Sequence, residues 1–228
     1  MYNHQKVSAI IVAAGESRRM GNRDKVFAPL GGKPLLARVI DAFERCGAVD
    51  EIVIVVNDAS REKCRRLAAG EKYSKVMGIC SGGERRQDSV RAGLRNLGQC
   101  HWVIVHDGAR PLVTVDLIEQ GLVEARETGA AVAAVPVTDT IKVMEDDRIV
   151  HQTPPRQNLW AVQTPQVFRI DIITEAYRKA KGEVTDDASL VEQLGYKVKL
   201  YMGTYDNIKI TTSDDLALAE ILLKKQGR

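Results

Sequence analysis

Four apolar runs rich in β-branched residues, VSAIIVA (7–13), EIVIVV (51–56), HWVIVHD (101–107) and AAVAAVPV (130–137), constrain this chain more than any other feature. EIVIVV and AAVAAV have no alternating polar positions, so a strand built from either must be covered on both faces. Between the runs lie the amphipathic stretches PLLARVIDAFERCG, SREKCRRLAAG, SGGERRQDSVRAGLRNLG and TVDLIEQGLVEARETG, spaced like helices that bury one side. Strand and helix in alternation, with covered strands, predict an α/β fold with a mostly parallel sheet. Gly47, Gly70, Gly98 and Gly129 fall where those helices should stop, and a left-handed cap suits glycine.

After Val137 the rhythm changes. The runs IKVM and RIVHQ flank the polar turn EDD, which predicts a hairpin or arm leaving the sheet. The tail then reads as a helix (IDIITEAYRKAKG), a second helix (TDDASLVEQLG), a strand (YKVKLYMG) and a last helix from Thr212, with Asp215 spaced for a capping box. A chain of 228 residues, 44% hydrophobic, supplies one large core, and a single domain is expected.

Several function classes are disfavoured at this level. A net charge of +3 is too balanced for bulk attraction to nucleic acid, and no basic stripe with interleaved aromatics is present. No segment reaches the roughly 20 apolar residues of a membrane span. The run from Val7 to Ala14 is preceded by only one basic residue, Lys6, and closed by Arg18 and Arg19, so it reads as a buried strand rather than a signal segment. Cys46, Cys64, Cys80 and Cys100 are widely spaced, without the close pairs of a zinc or redox motif, and a cytoplasmic setting is expected.

Open α/β sheets bind ligands beyond the carboxyl ends of their strands, so the residues that follow each strand carry the information. The first run ends in Ala13, Ala14 and Gly15, small enough for backbone N–H groups to approach an anion. Arg18, Arg19, Arg23 and Lys25 follow within eight residues. That cluster suits a triphosphate, or equally forms a solvated basic turn. In VHDGARP (105–111) a carboxylate closes a buried run beside Gly108 and Arg110. Asp107 there is placed to hold Mg²⁺ near phosphate oxygens, or to form a turn. His106 reads as a packed imidazole rather than a catalyst. The loop SGGERRQDSV (81–90) offers backbone donors at Gly82 and Gly83 and a hydroxyl at Ser89; its plain reading is a turn into a helix with Arg85 and Arg86 in solvent. DNIKI (206–210) sets Asp206 and Lys209 three apart, as surface residues or as a second carboxylate and a further cation for the same site.

Together these segments resemble the 2-C-methyl-D-erythritol 4-phosphate cytidylyltransferases of the non-mevalonate isoprenoid pathway. The resemblance is carried by AAGESRRMG, GGERRQDSV, VHDGARP, VPVTDTIK, LWAVQTPQVF, TDDASLVEQLG and DNIKITTSDDLALAE, in order along nearly the whole chain. AAG with RMG is common to many nucleotidyltransferases; the later pieces are the more specific. The resemblance implies a Rossmann-like three-layer α/β/α nucleotidyltransferase domain over 1–228. Its sheet would be mixed and mostly parallel, with a protruding β-arm at about 138–158 through which two copies form a homodimer. It implies CTP and a polyol phosphate as partners and Mg²⁺ as the cofactor. Carried onto matching positions, Ala13, Ala14, Gly15, Gly83 and Ser89 contact the nucleotide, and Arg19, Lys25 and Lys209 serve the triphosphate and its transition state. Arg110, Thr140, Arg156 and Thr164 surround the substrate phosphate, and Asp107 with Asp206 hold the metal. The family often has glycine at Ser17, proline at Asp24 and alanine at Gly108; an acid at position 24 lowers the positive field beside Lys25. Ribitol-5-phosphate cytidylyltransferases share the loops, and the AAG start and TDDAS segment lean away from them. A non-catalytic nucleotide-binding protein on the same fold is the alternative outside enzymes.

Overall fold

A computed structural model describes residues 2–15, 25–179 and 181–227. Its strands are β1 (Val7–Ala13), β2 (Pro29–Leu30), β3 (Lys33–Pro34), β4 (Glu51–Val56), β5 (Val76–Ser81), β6 (Trp102–Asp107), β7 (Ala130–Pro136), β8 (Val143–Met144), β9 (Val150–Gln152), β10 (Trp160–Arg169) and β11 (Lys199–Met202). Its helices are α1 (Leu35–Arg45), α2 (Arg61–Gly70), α3 (Arg86–Arg95), α4 (Val115–Thr128), α5 (Ile170–Lys179), α6 (Asp187–Gln193) and α7 (Ser213–Lys225). Seven strands form one sheet in the order β11-β7-β10-β6-β1-β4-β5. The β5–β4–β1–β6 neighbours pair in parallel, as do β7 and β11, while β10 runs antiparallel to both β6 and β7. The sheet is therefore mixed and mostly parallel.

The uninterrupted apolar runs feed two cores at once, because alternate side chains of a strand face opposite ways. In β1, Ala9 and Ile11 join Ile52, Ile54 and Ile104 beneath Phe43 of α1, Cys64 of α2 and Leu122 of α4. Ile10 points the other way, with Val55 and Val103, against Val90 of α3, Ile173 of α5 and Val191 of α6. Three layers follow from that alternation. A third, smaller cluster packs Ala219 and Leu223 of α7 over Leu30 and Leu112. Among the described residues, no helix is long and apolar enough to cross a membrane.

Local signals held in some places and failed in others. Thr212 accepts from the Asp215 amide at 3.2 Å and Asp215 from the Thr212 amide at 2.8 Å, the expected capping box of α7. Gly129 caps α4 with φ +81. The other three glycines do not act that way: Cys46 caps α1, Gly70 lies inside α2 with Lys72 supplying the positive φ beyond it, and Asn96 caps α3. Gly98 is small for a different reason, since its amide donates to Glu51 Oε1 at 3.0 Å and a Cβ would stand 3.0 Å from that carboxylate. The predicted arm forms as the β8–β9 ladder around a 3-10 turn at Asp146–Arg148. It belongs to a sheet of its own, and the side chains described from 138 to 153 are all exposed.

Candidate active site

Parallel strands deliver their carboxyl ends to one edge, and there the segments after β6 and β5 are tied by their backbones to the ends of β1 and β4. The Gly108 amide donates to Val12 O and the Gly82 amide to Val56 O, each at 2.8 Å. Both glycines lie in close approaches. A Cβ on Gly82 would lie 2.4 Å from Ala14 Cβ and 2.5 Å from Ser89 Oγ, and one on Gly108 2.8 Å from Ala13 Cβ. Ser89, almost fully buried, accepts from the Gly83 amide at 3.2 Å and so fixes the loop between β5 and α3.

The DNIKI segment forms no strand; it is sewn onto this edge from outside the sheet. Ile210 N donates to Ala109 O at 2.8 Å, and Arg110 Nη1 donates to Asn207 O at 2.6 Å. Buried Asn207 in turn donates to Thr164 O at 2.8 Å. These bonds deliver Lys209, whose Nζ stands 2.8 Å from Asp107 Oδ2.

Asp107 is the electrostatic centre. Its Oδ1 accepts from Arg86 Nε at 3.1 Å, Arg110 Nε lies 3.8 Å from Oδ2, and its amide donates to Thr164 Oγ1 at 3.0 Å. Burial alone would push this carboxyl up, but Arg86, Lys209 and Arg110 together hold it well below the usual carboxylate range. Arg86 has a second partner: its Nη2 sits 2.8 Å from Oδ2 of fully buried Asp187. That contact is an ion pair without hydrogen-bond alignment, since neither atom has a hydrogen-bond partner among the described residues. Burial would lower the Arg86 guanidinium, but Asp187 and Asp107 raise it well above its ordinary value. Burial lowers that of Arg110, with Asp107 only partly offsetting it, and Arg110 Nε is left without a hydrogen-bond partner among the described residues. His106 is indeed a packed imidazole. Its ring lies 5.3 Å from that of Phe43, Nε2 is 3.1 Å from Arg110 O, and burial lowers its pKa to about 4, leaving it neutral near pH 7.

Two clefts meet at this centre, sharing Arg86, Asp107 and Lys209. The smaller, about 140 Å³, is also lined by Ala13, Gly15, Lys25, Gly83 and Ser89, with Ala14 behind it at Gly82. The larger, about 420 Å³, adds Arg110 and Thr164. Most residues picked from the sequence are thus brought together, with exceptions. Arg19 lies outside the described residues. Thr140 and Arg156 line neither cleft and are exposed on the arm side, where Arg156 Nη1 donates to Thr138 O at 2.7 Å. Asp206 also lines neither; its carboxylate lies 3.6 Å from Lys225 Nζ, and no group of three or more metal-ligating side chains occurs among the described residues.

Arg86 is the residue that sequence reasoning left in solvent. Nothing in RRQDS distinguishes it from Arg85, which is the exposed member and pairs locally with Asp88 at 2.8 Å. The position of Arg86 at the first turn of α3, where two long-range carboxylates converge, is a tertiary fact. Asp187 was legible only as part of a helix start.

The family model for 2-C-methyl-D-erythritol 4-phosphate cytidylyltransferase matches residues 7–225. A relative of that name from Dehalococcoides mccartyi strain 195 is 52% identical over 225 residues, covering 99% of each chain. A solved 4-diphosphocytidyl-2C-methyl-D-erythritol synthase from Anaerococcus prevotii superposes with a TM-score of 0.87 at 32% identity, over 96% of this chain and 99% of its own. The 2-C-methyl-D-erythritol 4-phosphate cytidylyltransferase of Thermus thermophilus does so with a TM-score of 0.77 at 32% identity, over 94% and 98%.

Proposed function

The chain belongs to the 2-C-methyl-D-erythritol 4-phosphate cytidylyltransferase family, and we infer that its chemistry runs where the two clefts share Arg86, Asp107 and Lys209. It is a nucleotidyltransferase of isoprenoid biosynthesis. A phosphate oxygen of 2-C-methyl-D-erythritol 4-phosphate bonds to the α-phosphorus of CTP, 4-diphosphocytidyl-2-C-methyl-D-erythritol forms and pyrophosphate leaves.

The observation that carries the site assignment is that shared wall, which lets a nucleotide in one cleft face a phosphate in the other. CTP takes the smaller cleft, where Ala13, Ala14 and Gly15 keep the strand end low and Gly83 and Ser89 face the cytidine. The polyol phosphate takes the larger, beside Arg110 and Thr164. Arg110 Nε, buried without a hydrogen-bond partner among the described residues, supports an anion there.

A phosphate monoester has a second pKa near 6, so the attacking oxygen is already ionised at pH 7 and needs no strong general base. Buried, neutral His106 accords with that economy. The barrier is electrostatic, because a dianion must approach a still more charged triphosphate. Lys25 and Lys209, with Arg19 assigned from the sequence, counter the charge that builds on the α-phosphate and on leaving pyrophosphate.

For the proposed Mg²⁺, the fit depends on the nucleotide. Asp107 accepts one near bond at each oxygen, leaving lone pairs for a cation. Among the described residues, the ion-paired centre nevertheless sets Arg86, Arg110 and part-exposed Lys209 against Asp107 and Asp187, an excess of positive charge that a bare divalent ion would meet unfavourably. Asp107 would therefore hold the ion together with triphosphate oxygens, and Asp206 remains a weaker second candidate. Bound there, Mg²⁺ would offset negative charge on the phosphates.

We assign Thr140 and Arg156 to the neighbouring copy's larger cleft in a homodimer joined through the arm. Their exposure beside exposed Val143, Met144, Ile149 and Val150 supports this reading. The wide spacing of Cys46, Cys64, Cys80 and Cys100, without close pairs, supports a reducing, cytoplasmic compartment. Pyrophosphate release measured with each of the four nucleoside triphosphates, and with methylerythritol phosphate or ribitol 5-phosphate, tests the substrate assignment. CTP with methylerythritol phosphate should be fastest; equal turnover of ribitol 5-phosphate would overturn it.

A further inference from the structure

Asp187 has no place in the reaction described so far, yet it is fully buried and held from several sides. Tyr177 Oη donates to its Oδ1 at 2.5 Å, its amide donates to Gln166 Oε1 at 3.2 Å, and its Oδ2 faces Arg86 Nη2 at 2.8 Å. A different nitrogen of the same guanidinium reaches Asp107, Nε to Oδ1 at 3.1 Å. One arginine at the start of α3 thus bridges the end of β6 and the first turn of α6. Buried ion pairs are a poor route to stability, because desolvation offsets most of the attraction, so their worth lies in fixing geometry and charge. A guanidinium divided between two carboxylates neutralises each only in part.

We propose that Asp187 is a positioning residue: by engaging Nη2 of Arg86, it leaves Asp107 fixed in direction and with negative charge to spare for a divalent cation arriving with the triphosphate. If Asp187 lost its charge, Arg86 would turn its full attraction on Asp107 and compete with the ion. The inference rests on the reading of Asp107 as the metal's carboxylate, and the experiment separates the two.

CTP binding is measured by calorimetry with and without Mg²⁺ for wild type, Asp187→Asn, Arg86→Lys and Asp107→Asn, with circular dichroism to establish folding. Asp187→Asn is nearly isosteric, and Arg86→Lys keeps a charge but cannot bridge. Wild type should gain CTP affinity on adding Mg²⁺. In Asp187→Asn and Arg86→Lys that gain should fall about tenfold, the scale seen when partners behind a metal ligand are removed. Metal-free CTP binding to Asp187→Asn should hold or tighten, because the site becomes more positive. Structural damage alone would weaken binding with and without metal alike, and that outcome overturns the proposal. If Asp107→Asn removes the gain while the folded Asp187→Asn and Arg86→Lys proteins keep it, the proposal also fails and the Asp107 reading stands. If Asp107→Asn keeps the gain, both fail.

Discussion

Lys209 Nζ meets Asp107 Oδ2 at 2.8 Å although the two residues lie on different segments, one at the end of β6 and one in a coil joined to it through Ala109 and Ile210. Lys209 is also part-exposed, so it is tethered at the shared wall and free on the side where phosphates would arrive. Loss of a charge-stabilising donor of this kind costs about 2.7 to 4 kcal/mol in the transition state, or roughly 10² to 10³ in kcat. Lys209→Ala and Lys25→Ala should each show that loss in steady-state pyrophosphate release at saturating CTP and Mg²⁺. Near wild-type turnover for either protein would remove that lysine from the mechanism.

The contact between Gly82 and its neighbours makes a second prediction. A methyl group there would sit 2.4 Å from Ala14 Cβ and 2.5 Å from Ser89 Oγ, inside van der Waals distance of both, on the loop that walls the smaller cleft. Overpacking of this kind costs about 1 to 3 kcal/mol. Gly82→Ala should lower stability by that amount in urea unfolding and raise the KM for CTP more than that for the polyol phosphate. Unchanged CTP affinity would mean that the loop yields without cost.

How far the sequence reached depended on whether the signal was local. Val7–Ala13, Glu51–Val56, Trp102–Asp107 and Ala130–Pro136 were readable as strands because burial on both faces leaves a run without polar gaps. β5 gives no such signal: VMGICS has a glycine at 78, sits at the sheet edge and is only partly buried, so its pattern is weak. β10 carries no clear strand pattern in the sequence, since Pro165 cannot donate to a ladder; the shift of register between Val162 and Gln166 makes room for it. In the site, small residues and cations announced themselves after each strand, while the burial of Arg86 against Asp187 depended on α3, α6 and β6 meeting, which no spacing encodes.

At the other end of the chain, the capping box of α7 gives a pH prediction. Hydrogen bonds from Thr211 and Thr212, outweighing a small effect of burial, hold the Asp215 carboxyl down to about 2. A depressed carboxyl contributes stability that is present above its unfolded value near 3.9 and is lost as pH falls toward 2. Asp215→Asn should therefore lower unfolding stability at pH 7 by about 1 kcal/mol, the usual scale of a cap. The difference from wild type should shrink as pH falls from 4 to 2. A constant difference across that range would show that Asp215 does not act through its charge.

The last prediction concerns the arm. Thr140 and Arg156 are exposed in the single chain and line neither cleft, so a role at the substrate phosphate requires them to enter the neighbouring copy. Arg156→Ala should then raise the KM for the polyol phosphate and leave CTP binding nearly unchanged. A mixing experiment separates action within a chain from action between chains. In the proposed homodimer, the Lys25→Ala and Arg156→Ala proteins should each be nearly inactive at limiting polyol phosphate. In a hybrid, one site combines both defects and the other combines intact Lys25 from one chain with intact Arg156 from its partner. Random exchange of subunits makes half of the dimers hybrids, each with one working site of two, so activity should recover to about a quarter of wild type. If Arg156 served its own chain, every site in the mixture would keep one defect and the rate would stay at the average of the two parents. Subunit exchange followed by native mass spectrometry, with the pyrophosphate assay on the same sample, distinguishes these outcomes.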